Sequence, residues 1–280
     1  MAATGPQIIE GVAGGVPYLA LPPATRRADA PVVITWHLMD PPRSPAAMAA
    51  ALPLAGLDAW RIHLELPMTG ARMPEGGPEA LMAKGFEDAV LNLQGPIAQQ
   101  GSADLAAAWP ELVDQLRLGA PPVALLGGSM GSTVAQLATA ETAPGLDIDL
   151  RALVLVSPAA QLRPVVAAMS AEFGVEYAWS PASEAVADRL DFVARAGELA
   201  AAVPAVMIAV GGADQPDGFV APAHALGEAL TAAGADAQVV ELPGVAHALA
   251  DEPGLEAAPQ TDAARAVETE VEPWLAARLR

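Results

Sequence analysis

The chain has 280 residues, 53% of them hydrophobic, and a formal net charge of −19 from 33 acidic against 14 basic residues. This composition supports a sizeable core and excludes an intrinsically disordered chain, and the acidic balance without any basic cluster excludes a binder of phosphate backbones, so no nucleic-acid partner is expected. Cysteine is absent, which removes disulfides, thiolate metal sites and a cysteine nucleophile together, and the single lysine, Lys84, lies in the helix-like "LMAKGFEDAV", a poor setting for Schiff-base chemistry.

In chain order, "MAATGPQIIEGVAGG" has no positive n-region and carries Glu10 within its apolar part, so it does not read as a signal peptide. "QIIEGV" and "VPYLALP" predict paired N-terminal strands. "APVVITWHL" (Ala30–Leu38) is a nearly continuous apolar strand, followed by the helical "PAAMAAALPLAG" and the strand "LDAWRIHLELP" (Leu57–Pro67). Met68–Ala120 is too long for one crossover, and its opening "PMTGARMPEGGP" reads as a candidate mobile loop near a site.

Four further runs, "PPVALLG", "RALVLVSP", "PAVMIAVGG" and "DAQVVELPG", are each bounded by Pro or Gly. Apolar strands without polar alternation require burial on both faces, as in a parallel sheet with helical crossovers. Their alternation with Ala/Leu-rich helices predicts an α/β sheet covered on both sides. Pro158–Pro204 reads as two or three helices inserted over one end of the sheet, with Asp188 and Asp191 solvated. The tail "DAARAVETEVEPWLAARLR" predicts an amphipathic helix with a solvated acidic face. No repeat period or linker divides residues 1–280, so a single domain is expected, with the helical insertion at about 158–203. The longest uncharged windows, Leu118–Ala140 and Leu199–Ala213, are broken by Pro and Gly, so no membrane span is expected and the default location is the cytoplasm. Oligomeric state is left open, a homo-oligomer included.

The chemistry concentrates in "PPVALLGGSMGST", Pro121–Thr133. A phosphate-binding P-loop needs a lysine that this stretch lacks, and a dinucleotide turn needs a glycine where Ser129 stands. Gly127-Gly128-Ser129-Met130-Gly131 instead satisfies G-x-S-x-G between the strand "VALLG" and the helix "STVAQLATAET". That strand–turn–helix context is the one a nucleophilic serine on a strained turn requires, with small residues at Gly127, Gly131 and Ser132 and a helix N-terminus favouring negative charge.

With this motif the sequence resembles the α/β-hydrolase superfamily over most of its length. The resemblance implies a mostly parallel eight-stranded sheet and the order Ser…Asp…His for nucleophile, acid and base. Among the four histidines, His63 sits inside a strand, His224 in a helix pattern and His37 at a strand end; His247, in "LPGVAHALAD" after the last strand, matches the family's base. Gly211-Gly212-Ala213-Asp214 matches the family's G-x-x-D, making Asp214 the acid; Asp217 is the alternative, with capping of a helix near Gly218 as its other role. The resemblance further implies an oxyanion hole built from the Met130 N–H and one N–H of "TWHLMDPPRS", where His37 stands for the family's histidine but Leu38 replaces the usual glycine. Met39 is the second donor by alignment and Leu38 the alternative.

An Asp or Cys nucleophile and a His-Gly-Gly-Gly signature are all missing, which sets aside the subclasses that depend on them. The expected activity is hydrolysis of a small-molecule carboxylic ester, without cofactor or metal. Peptidase, thioesterase or acyltransferase chemistry, and a non-catalytic ligand-binding member, are the alternatives. Met39, Met68, Met73, Met130 and Met169, with Phe173, Tyr177 and Trp179, suggest an apolar acyl pocket or else ordinary core filling.

Overall fold

The computed structural model describes residues 8–25 and 27–280. The start of the N-terminal segment read above, residues 1–7, lies outside them. Strand β1 (Ile9–Ala13) turns through Gly14-Gly15, both with positive φ, into β2 (Val16–Leu21). The chain continues through β3 (Val32–Trp36), α1 (Pro45–Ala51), β4 (Trp60–Leu64), α2 (Gly77–Glu87), α3 (Gly95–Leu116), β5 (Pro122–Gly128), α4 (Met130–Leu137) and β6 (Asp149–Val156). Three helices follow in the predicted insertion, α5 (Leu162–Phe173), α6 (Pro181–Arg189) and α7 (Ala196–Ala202). The chain ends with β7 (Ala205–Gly211), α8 (Ala221–Ala232), β8 (Asp236–Leu242) and α9 (Asp262–Arg278).

The strands form one eight-stranded sheet in the order β1-β2-β4-β3-β5-β6-β7-β8. The β1–β2 and β2–β4 pairs are antiparallel and the remaining pairs parallel. Alternate residues of each apolar strand enter different cores. Ile34, Leu125, Leu153 and Ile208 pack toward α3, α4 and α8. Val33, Leu126, Val154 and Met207 pack toward α1 and α9. This two-sided burial is why the strands lack polar alternation.

The inserted helices divide their packing. α5 lies on the helical turn Pro216–Val220, α6 on the turn Val90–Gln94, and α7 beside α8. Part of the opening of the 68–120 segment is fastened rather than free: Arg72 donates to the Glu65 carbonyl at 3.0 Å and pairs with buried Asp104 at 2.6 Å. The acidic face of α9 is also only partly solvated. Glu268 accepts the Leu54 N–H at 2.5 Å and Glu272 the Gly56 N–H at 2.7 Å, so two of its carboxylates cap the loop before β4. Asp191 is half-buried, accepting from Gln161 and the Ala194 N–H. Among the described residues no helix is long and apolar enough to cross a membrane.

His63 in β4 is a core residue beside Thr35 of β3 at the same register. Neither ring nitrogen has a hydrogen-bond partner, nor does the Thr35 hydroxyl. Burial, with Arg61 and His37 nearby, pushes the His63 pKa down to about 3, and burial holds His37 at about 4. The unfolded chain binds protons on these groups below about pH 6.5 while the folded chain does not. Stability is therefore fully present above about pH 6.5 and falls on acidification through the window down to about 4 for His37 and about 3 for His63. The expected slope is about 1.4 kcal/mol per pH unit for each group. Urea unfolding at pH 7.5, 6 and 5 measures it, and His63→Leu is expected to halve the slope without lowering stability at pH 7.5, since an unpartnered buried imidazole is replaced by an apolar group.

Candidate active site

Strands β3 to β8 run parallel, so the segments that follow them emerge at the same end of the sheet. Ser129 occupies the one-residue turn between β5 and α4 with φ 47° and ψ −116°, a backbone conformation that costs a non-glycine residue about 1–3 kcal/mol. Its neighbours explain why the turn closes. A Cβ on Gly127 would collide with the Gly131 carbonyl, and one on Gly131 with the Trp36 and His37 carbonyls. The Ser129 N–H is bound to the Val156 carbonyl at 2.9 Å. Ser132 does more than stay small: its hydroxyl donates to the Ser129 carbonyl at 2.5 Å and accepts the Ala159 N–H at 3.1 Å.

The structure brings Ser129, Asp214 and His247 together across 118 and 33 residues of chain. His247 Nε2 lies 2.8 Å from Ser129 Oγ, and Nδ1 lies 2.8 Å from Asp214 Oδ2. The Asp214 side chain is 2% exposed, and its second oxygen accepts the Gln215 N–H at 2.7 Å. An ionised Asp214 fixes the Nδ1–H tautomer, leaving Nε2 as the acceptor for the serine proton. Gly211 supports this corner, because a Cβ there would strike the Val245 carbonyl. Asp217 does not cap the helical turn after Asp214. Gln215 does, its side chain accepting the Gly218 N–H at 2.8 Å, since a longer side chain placed before the turn reaches back over it.

The loop after β3 lies against the serine turn, with the Leu38 side chain where a Cβ on Gly128 would sit. The Leu38 N–H is taken by the Pro42 carbonyl at 3.2 Å. The N–H groups of Met39 and Met130 have no protein acceptor among the described residues. His37 Nδ1 lies 2.6 Å from the Leu38 carbonyl, while Nε2 faces the Leu66 N–H at 3.4 Å. Since a trans peptide holds its C=O and N–H antiparallel, that bond turns the Met39 N–H away from the imidazole of His37.

Three residues near the site carry no motif and went unread in the sequence. Phe219 packs its ring 4.2 Å from the His247 ring, centroid to centroid. Asp40 Oδ2 lies 3.6 Å from His247 Nε2. Arg43 donates to the Met39 carbonyl at 2.9 Å and pairs through both terminal nitrogens with Glu252, at 2.5 and 2.9 Å. Only "DPPR", a turn signal, hinted at the last two. Of the remaining histidines, His63 is in the core and His224 pairs with Glu241 at 2.9 Å on the surface. Of the apolar set, Met130 is buried, Met39, Met68, Tyr177 and Trp179 pack half-buried on the core, and Phe173 is exposed against Phe86.

A strained serine between a parallel strand and a helix, with an imidazole and carboxylate presented by later strands, defines an α/β-hydrolase arrangement. The family model described as the alpha/beta hydrolase fold matches residues 77–251, more than half of the sequence, and the chain belongs to this family. Curated proteins gave no match. Among solved structures, TT1662 from Thermus thermophilus superposes with a TM-score of 0.67 at 19% identity, over 97% of this chain and 99% of that one. Carboxyl esterase 2 from the mycorrhizal fungus Tuber melanosporum gives 0.61 at 15% identity, over 100% and 89%. A puromycin-hydrolyzing peptidase of Mycobacterium tuberculosis gives 0.65 at 14% identity over 96% of this chain, which spans only 40% of that protein. These likenesses share the fold.

Proposed function

We propose that the protein is a serine hydrolase that cleaves a small-molecule carboxylic ester through an acyl-enzyme. The observation that carries this reading is the bridge made by His247, 2.8 Å from both Ser129 Oγ and Asp214 Oδ2. His247 takes the hydroxyl proton as Ser129 attacks the ester carbonyl, and Asp214 stabilises the resulting imidazolium. The tetrahedral oxyanion is held by the N–H groups of Met130 and Met39, both without protein acceptors among the described residues. Leu38 is set aside as donor because its N–H is already bound. The imidazolium then protonates the leaving alcohol, and water, deprotonated by the same imidazole, releases the acid. His37 acts at one remove, orienting the Leu38–Met39 peptide.

An esterase neighbour matched over 89% of its own length supports the ester reading, and a peptidase neighbour, matched over 40% of its own, makes amide cleavage the second reading. The test is labelling by a fluorophosphonate together with burst release of nitrophenol from nitrophenyl acetate. Both are expected in the parent protein and absent in Ser129→Ala. Absence of labelling and burst in the parent overturns the reading in favour of a ligand-binding member. Faster turnover of amino-acid nitroanilides than of nitrophenyl esters transfers it to a peptidase.

A further inference from the structure

Asp40 belongs to the loop after β3, and its side chain is 54% exposed. Its carboxylate makes no hydrogen bond within the described residues, and its one ionic neighbour there is His247, with Oδ2 3.6 Å from Nε2. Arg43, three residues on, is turned away from it: its guanidinium is committed to the Met39 carbonyl, both oxygens of Glu252 and the Pro253 carbonyl. The loop is also held in place. The Pro41 carbonyl accepts the Leu249 N–H at 2.9 Å, and the Arg43 N–H donates to the Gly254 carbonyl at 2.7 Å. A fixed negative charge therefore stands open to solvent beside the nitrogen that faces the nucleophile.

That nitrogen has a defined partner in acyl transfer. When the tetrahedral adduct collapses, the carbon–oxygen bond to the alcohol breaks and Nε2–H delivers its proton to the departing oxygen, leaving neutral imidazole and a neutral alcohol. The departing oxygen has to come within hydrogen-bond reach of Nε2, so the atoms attached to it pass beside Asp40. An ammonium two or three bonds beyond the ester oxygen falls within ion-pair range of the carboxylate, while an anionic group there meets like charge. The surface charge of −19 adds long-range attraction of the same sign.

We infer that Asp40 is a specificity-determining residue that selects esters whose alcohol portion carries a positive charge. The inference rests on the hydrolase reading above. It is tested with acetylcholine and 3,3-dimethylbutyl acetate, which differ in having nitrogen or carbon at the centre of the same trimethyl group. The parent protein is expected to favour the cationic ester about two- to fivefold in kcat/KM, the range for one partly solvated charge pair. Asp40→Asn is expected to remove that preference, and Asp40→Lys to reverse it. Equal hydrolysis of the two esters by the parent overturns the inference, as does an equal loss on both in Asp40→Asn, which would make Asp40 a general electrostatic support of His247. Turnover of nitrophenyl acetate but of neither test ester also overturns it and leaves the hydrolase reading standing. Absence of any nitrophenyl acetate burst overturns that reading itself.

Discussion

Ser129→Gly is expected to lose esterase activity by about 10⁴–10⁶-fold and, at the same time, to be more stable than Ser129→Ala by about 1 kcal/mol. Both variants lose the nucleophile and the hydrogen bond to His247 Nε2. They differ in the backbone. Alanine keeps the strained φ of 47° and ψ of −116°, whereas glycine reaches that region without the steric penalty of a Cβ. Relief of about 1–3 kcal/mol outweighs the 0.5–1 kcal/mol that glycine's freedom in the unfolded chain costs. For a chain of this size the difference corresponds to about 2–4 °C in Tm. The ordering inverts the usual one between glycine and alanine, so thermal melting of the two variants is diagnostic. An alanine variant melting above the glycine variant would show that the turn stores no strain.

Asp214→Asn is expected to lower kcat/KM about 10⁴-fold at neutral pH with little change in fold. The direction follows from the second oxygen of the carboxylate. Oδ1 accepts the Gln215 N–H at 2.7 Å, so an amide at this position keeps its oxygen there and places its NH₂ against His247 Nδ1. An N–H donor facing Nδ1 makes that nitrogen the acceptor and moves the imidazole proton to Nε2. Nε2 then cannot take the serine proton. Steady-state kinetics on nitrophenyl acetate measures the loss, and circular dichroism checks that the fold is retained. A loss below about tenfold would remove Asp214 from the role assigned to it.

The sheet was legible because its strands are buried on both faces. Runs such as "PAVMIAVGG" present unbroken apolar sequence between Pro and Gly, and each appears as a strand near its expected position. In the long 68–120 segment the helical pattern around Lys84 reappears as α2, while its bounds and α3 went unread, for two physical reasons. No residue of α2 is buried, and Met82 and Phe86 are exposed, so no apolar face marks where it starts and ends. α3 runs across Pro110, which local rules read as a break. At the site, the side chains that the motif and the resemblance single out, Ser129, Asp214 and His247, do meet in the structure. Backbone groups were not legible. Whether Leu38 or Met39 offers a free N–H depends on a hydrogen bond to Pro42 and on the tilt of a peptide toward His37, neither of which has a residue signature. The partners of Glu268 and Glu272 were equally hidden, since backbone donors 214 and 216 residues away leave no trace in a charge pattern.

The guanidinium of Arg43 gives the reaction centre its own failure mode. One side chain grips the carbonyl of Met39 and the carboxylate of Glu252, five residues beyond His247. The two stretches to which the proposed mechanism assigns the oxyanion and the proton thus share one exposed ion pair, beside the backbone hydrogen bonds of Pro41 with Leu249 and of Arg43 with Gly254. Because Glu252 is 71% exposed, that pair is reachable by salt. On the proposed mechanism, loosening it would displace oxyanion support and base together, so loss of activity at high salt is expected before the melting of a sheet whose strands lie buried in two separate cores.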